Sequence, residues 1–263
     1  MNTPDNITRL HSGEEKLRVE SLRRIAEIPD LATHLLMVEQ TMNLIHALLP
    51  STEVTDEYQL ELGNLGIRCF NALASCLKLA LSGYYQAAAI HIRDLLEMAF
   101  LLDYFSMDPA LVTQWRTMSD RDRKKAFKPV AIREALDKRD GFTKQKRKAA
   151  YEQLSKLAGH ATPEGAVMLA PDPNVSTVHC GPFLETTALR AVLSEAALTS
   201  IQAAGAFRTL IKRDGLEVSE ARVGFLHAEA AWAKCVFGKE LGHLPLAELR
   251  FLLDLVRKQE AET

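Results

Sequence analysis

Gln86, Arg93, Glu97 and Tyr104 lie within one stretch of chain. At about 100° per residue they fall within roughly 40° of one another on a helix. The rest of that stretch is mainly Ala, Ile, Leu, Met and Phe, so the polar row stands where core is expected. His91 and Asp94 flank it. A buried charge must be paired or wetted. Two chemistries follow: an Arg93–Glu97 ion pair four residues apart that locks helices together, or a cleft in which Arg93 holds an anion and Glu97 orients it or moves a proton.

A second group occurs in YEQLSKLAGHAT. Tyr151 and Ser155 are four apart on one helical face, and Gly159 is expected to turn the chain in a left-handed conformation just before His160. A histidine at a helix carboxyl end favours its imidazolium form and can serve as a general acid or a phosphate ligand. Its simpler role is to hydrogen-bond the last carbonyls of the helix. Arg93, Glu97 and His160 are therefore the candidate catalytic or ligand-contacting residues, with Gln86, Tyr104, Tyr151 and Ser155 lining the same cleft.

A third candidate is a basic patch. Between Arg116 and Lys156 there are fourteen Lys or Arg against six Asp or Glu, so a formal net charge of −2 hides a segment of +8 and a remainder of −10. The near-zero total argues against an obligate polyanion binder, but the segment does not. It includes Arg121, Arg123, Lys124, Lys125 and Lys128, then Lys144, Lys146, Arg147 and Lys148. Phe127 and Phe142 are the only aromatics between Arg121 and Lys148, few for a base-stacking surface. The patch suits phosphate contacts, or the acidic remainder of a second subunit in a homo-oligomer.

Metal and nucleotide signatures are missing. No Gly-x-x-x-x-Gly-Lys, Gly-x-Gly-x-x-Gly, His-Glu-x-x-His or Gly-x-Ser-x-Gly occurs, and the Glu-x-x-His pattern appears only at Glu240 to His243. A di-iron bundle needs two such pairs. No cofactor is expected, and a mononuclear metal would have to use His91, Asp94 or His160. Cys69, Cys76, Cys180 and Cys235 form no C-x-x-C, and the closest two are about 10 Å apart along one helix, so they are expected to be free thiols of a cytoplasmic protein. The first thirty residues hold no apolar run of secretory type. Cys69 to Ile92 is long enough to cross a bilayer, but Asn71, Lys78, Ser82, Gly83, Gln86 and His91 interrupt it, so no membrane contact is expected.

The elements that must position these residues are helices throughout. Hydrophobic periodicity predicts helices over 14–28, 31–49 (capped by Asp30), 56–81, 84–105, 109–118, 129–139, 144–158 (capped by Thr143), 184–213, 219–237 and 245–258. This is an all-α multi-helix bundle with a central antiparallel pair broken at Gly83. Residues 1–52 form an N-terminal hairpin packed on a main domain of 53–263. Residues 159–183 hold four of the ten prolines and three of the thirteen glycines, too many breakers for a helix. A loop of that length is uncommon in a compact domain and often functional. Its apolar runs at 167–169 and 175–178 could pair as a small β-hairpin.

GYYQAAAIHIRDLLEMAFLLDYF followed by YEQLSKLAGHATPEG resembles an uncharacterised bacterial family of helical proteins, over about residues 65–170. In that family an Arg-x-x-x-Glu helix precedes a Leu-Ser-x-x-x-x-His segment. The resemblance carries Arg93 and Glu97 onto the first element, and Leu154, Ser155 and His160 onto the second. More distantly, Gly83-Tyr84 before an Ala-rich helix bearing an Arg and a Glu is similar to HEPN domains, many of which are RNases of defence and toxin systems. That likeness implies an RNA- or ligand-binding module of a mobile-element or defence setting, or a ribonuclease. The HEPN signature Arg-x4–6-His is met by Arg222 and His227. On a regular helix these two lie about 140° apart, so they would converge only through distortion or dimerisation.

Overall fold

The computed structural model describes residues 4–49, 56–171, 178–241, 251, 253–255 and 257–258. The α-helices run in order: α1 Asp5–Glu27, α2 Pro29–Leu48, α3 Glu57–Leu81, α4 Tyr85–Phe105, α5 Ala110–Thr117, α6 Asp120–Ala126, α7 Pro129–Arg139, α8 Lys146–Leu154, α9 Thr186–Leu210 and α10 Leu216–Phe237, and residues 251, 253–255 and 257–258 are also helical. A π turn, Ser155–Gly159, and a 3-10 helix, Pro163–Leu169, lie between α8 and α9. There is no strand among the described residues. Of the hairpin expected from 167–169 and 175–178, the first run is helical rather than extended. Val167 to Leu169 sits in the 3-10 helix, because Thr162 caps Gly165 N–H and Pro163 preorganises the first turn. Residues 175–177 lie outside the described residues.

α4 is central, packing along α9 on one side and α3 on the other, while α2 packs against α9 and α10. The core between them is built from Leu31, Met37, Leu73, Ile92, Phe105, Leu193 and Phe207, all essentially inaccessible to solvent. Polar groups inside it are paired: the Thr41 and Ser200 hydroxyls bond at 3.1 Å, and Ser21 Oγ donates to the Leu81 carbonyl at 2.9 Å. Cys69 and Cys76 are buried within α3 and their thiols are pushed up to about 12 by burial; all four cysteines are free. No helix among the described residues is long and apolar enough to cross a membrane.

Local chemistry moved several boundaries. α2 begins at Pro29, in the first helical position that its fixed φ suits, so Asp30 lies inside the first turn. Its carboxylate takes Arg190 of α9 at 2.6 Å. α8 begins only at Lys146, after Gln145 in a left-handed conformation, so Thr143 caps nothing. Of the helix expected over 245–258, residues 245–250 lie outside the described residues. Arg257 reaches Glu220 of α10 at 2.9 Å.

α3 and α4 are joined at Gly83, whose φ of +87° is open chiefly to glycine. A Cβ there would stand 2.4 Å from the Phe183 carbonyl oxygen, so the residue also lets the end of the long loop cross close to the turn.

Candidate functional site

Arg93 reaches across from α4 to the end of α8. Its Nε donates to Ser155 Oγ at 3.0 Å, and its Nη2 donates to Tyr151 Oη at 2.5 Å. Glu97, one turn on, pairs with it at 3.0 Å. Two turns earlier, Gln86 Nε2 donates to the carbonyls of Leu157 at 3.2 Å and Gly165 at 3.1 Å. Three residues of the polar row thus grip, directly or through Arg93, the segment that begins at Tyr151. The two stretches picked out in the sequence are brought together.

The chain after α8 is shaped to accept this grip. Gly159 is not left-handed; it closes the π turn, in which the His160 N–H donates to the Ser155 carbonyl at 2.9 Å. A Cβ on Gly159 would lie 2.9 Å from Arg93 Cδ and 3.0 Å from Nε. Glycine is there for close approach rather than for an unusual φ. The extra residue of a π turn lets the backbone swing past the guanidinium while Ser155, 6% exposed, still points at it.

His160 is exposed, and its imidazole makes no hydrogen bond to Arg93 or Glu97. Tyr104, at the far end of the row, does not join the Arg93 network; its ring meets Phe127 edge-on at 6.1 Å. Asp94 is taken by Arg68 at 2.5 Å. Among the described residues no group of three His, Cys, Asp or Glu is arranged to hold a metal ion.

Sequence reasoning missed Arg133. It projects from α7 against the ring of Tyr151, its Cζ 4.2 Å from the ring centroid, while Arg93 Cζ lies 4.9 Å from the same centroid. Arg133 is 8% exposed, and its Nε and Nη1 are buried without a hydrogen-bond partner among the described residues. The neighbouring Asp137 is occupied by Arg147 at 2.7 Å. The signal was present: Arg133 and Asp137, four apart, flank the apolar Ile132 and Leu136 just as Arg93 and Glu97 stand among core positions on α4.

The basic segment divides by residue type. Arg147 bonds Asp137 and Asp140 and lies over Phe142 at 5.0 Å. Arg139 chelates Asp103 of α4 at 2.7 and 3.0 Å. The Arg139 hydrogen bond, with Arg147 adding to it, holds the Asp140 carboxyl down at about 2. Arg123 pairs with Asp120 and lies over Trp115 at 5.7 Å. Arg121, Lys124, Lys125, Lys128, Lys144 and Lys146 are exposed, as is Lys148, which sits 3.9 Å from Glu152.

Arg222 and His227 are not brought together. Arg222 turns back to the Arg213 carbonyl at 2.8 Å and to Asp214 at 3.4 Å. His227 faces a different groove, with Glu220 and Arg257, and α10 is regular between them. No family model, curated protein or solved structure matches the chain, so function has to be read from this geometry.

Proposed function

We propose that the protein is a binding module for a small anionic ligand, a phosphate or carboxylate group, seated where α4, α7 and α8 meet. The observation that carries this is Arg133, a buried guanidinium with two N–H groups that have no acceptor among the described residues. Each such donor costs about 1–3 kcal/mol, and stacking on a desolvated aromatic face returns only about 2 kcal/mol. An anion supplies charge-assisted acceptors to such N–H groups; Nε and Nη1 lie on different edges of the guanidinium, so each takes a separate oxygen. Ser155, Tyr151 and Glu97 hold Arg93 in place beside it. His160, one residue beyond Gly159, is a further contact in this reading.

The test is thermal unfolding in rising concentrations of inorganic phosphate, acetate and chloride at constant ionic strength. A ligand that binds only the folded state raises the midpoint with concentration. Wild type should gain with phosphate or acetate beyond chloride. Arg133→Met, which replaces the unpaired cation by an apolar chain of similar length, should stay folded and lose that gain. Equal gains in both proteins, or none in wild type, would refute the site.

The exposed lysines and Arg121 favour a second reading, RNA contacted through the α6–α8 face. Its mark would be salt-dependent binding of single-stranded RNA. Charge reversal at Lys124 and Lys144 would weaken it, while Arg133→Met would leave it intact.

A further inference from the structure

On the other side of α8 lies a cleft of about 580 Å³, walled by α4, α8, α9 and α10. Its size is that of a small-molecule pocket. Glu195 of α9 lines it, is mostly buried, and has no hydrogen bond or ion pair among the described residues. The other charged groups facing the cleft are Asp103 from α4, Lys146 and Arg147 from α8, and Glu229 from α10. Asp103 is held by Arg139, and Arg147 by Asp137 and Asp140. Neither Lys146 nor Arg147 forms an ion pair with Glu195, although they share the cleft.

The remaining wall is mostly apolar, with Ser106, Thr199, Gln202 and Thr209 set into it. Leu96 and Phe100 of α4 face Leu198 and Ile201 of α9, and Phe142 and Ala150 close one end. Gly205 also lines the cleft, and a Cβ built on it meets nothing within 4 Å, so the space alongside α9 is open. A carboxylate without a partner, set among apolar side chains in a cavity of ligand size, asks for a cation that brings its own apolar surface. Asp103, Glu195 and Glu229 are not grouped closely enough to hold a bare metal ion.

We propose that this cleft binds an organic ammonium ion, a primary amine on an apolar body, with the ammonium group on Glu195 and the body against the α4 and α9 side chains. The site is separate from the Arg133 cluster and does not depend on it. Burial raises the Glu195 pKa above the usual carboxylate value, so acidification should weaken the complex before an exposed carboxylate would protonate.

The experiment titrates hexylamine, hexanol and hexanoate into the full chain at neutral pH, followed by calorimetry and by amide shifts of α4 and α9. Hexylamine should bind saturably and more tightly than hexanol, with hexanoate weakest. Glu195→Gln, nearly isosteric, should weaken hexylamine by about tenfold or more, the worth of a hydrogen bond to a charged group, and leave hexanol unchanged. Gly205→Leu fills the open space without touching the charge and should block all three. Arg133→Met should leave hexylamine binding as it is, which keeps this result apart from that of the anion site. Hexanol binding as tightly as hexylamine, an unaffected Glu195→Gln variant, or no saturable binding to wild type would each overturn the proposal.

Discussion

His34 is buried at 4% exposure, and its Nδ1 accepts the indole N–H of Trp232 at 2.9 Å. That bond requires an unprotonated Nδ1. Burial pushes the imidazole below its ordinary value of 6.5, with Asp30 opposing only in part. As pH falls through 6.5 the unfolded chain takes up a proton that the folded chain refuses, so stability is lost downward from there. Chemical denaturation between pH 7 and pH 5 should show that decline. His34→Asn, which keeps an acceptor without the titration, should start from a lower stability and flatten this part of the profile; an equal slope in both proteins would assign the decline to other groups. The same scale shows what the sequence disclosed of the candidate site. Arg93 and Glu97 were legible because a polar residue at a core position of a long apolar helix has few alternatives, and Tyr151 and Ser155 because they stand four apart on one helical face just before a glycine. Arg133 stands among apolar positions in the same way, but α7 is only eleven residues long and carries charge on most of its faces, which masks the pattern. Whether a guanidinium has an acceptor is decided by neighbours distant in sequence. Glu195 was hidden for the same reason, as its missing partner is a property of the α8 and α10 walls.

Helix positions were readable where an apolar stripe or a proline set them, and α7 begins and ends where its pattern predicts. The errors concern backbone that obeys other rules. α6 is seven residues of mostly charged sequence with no apolar stripe; it exists because Ser119 caps Asp122 N–H at 3.2 Å. The π turn after α8 has no sequence period at all. Glycines separate two kinds of constraint, and mutation should separate them too. Gly83 and Gly141 both have positive φ, +87° and +67°, but only Gly83 is crowded by backbone, whereas Gly141 faces open space. Gly141→Ala should therefore cost about 1–2 kcal/mol, the strain of the left-handed conformation alone. Gly83→Ala should cost more, about 2–4 kcal/mol, since the Phe183 backbone must also move. Urea denaturation of both variants checks this, and equal losses would mean the Phe183 crossing is not tight.

At the scale of the whole molecule the net charge of −2 resolves into a pattern. Arg121 apart, the arginines of the basic segment are engaged with carboxylates or rings: Arg116 holds Glu57 and Glu61 of α3, and Arg139 holds Asp103 of α4. Lysines turn outward. Arginine suits the inward role because its planar fork can satisfy a carboxylate while stacking on a ring, as Arg147 does over Phe142. The segment is basic largely because it is fastened to an acidic body. That fastening has a consequence for motion. Among the described residues between α4 and α9, Val112, Ile132, Leu136 and Leu154 enter the buried apolar core, Leu111, Trp115, Phe127 and Tyr151 pack partly buried against it, and ion pairs with the Arg93 and Gln86 bonds add to the attachment. Such attachments can open without unpacking α2, α3, α4, α9 and α10. Amide protons of α5 to α8 should therefore exchange with deuterium through a partial opening, at lower free energy than those of α4 and α9. Arg93→Ala should speed exchange in α8 by the loss of hydrogen bonds to a charged group, about 1.5–3 kcal/mol each, and leave α9 nearly unchanged. In that light the polar row on α4 is a latch: its strength sets how often one flank of the protein swings free while the bundle beneath it stays shut.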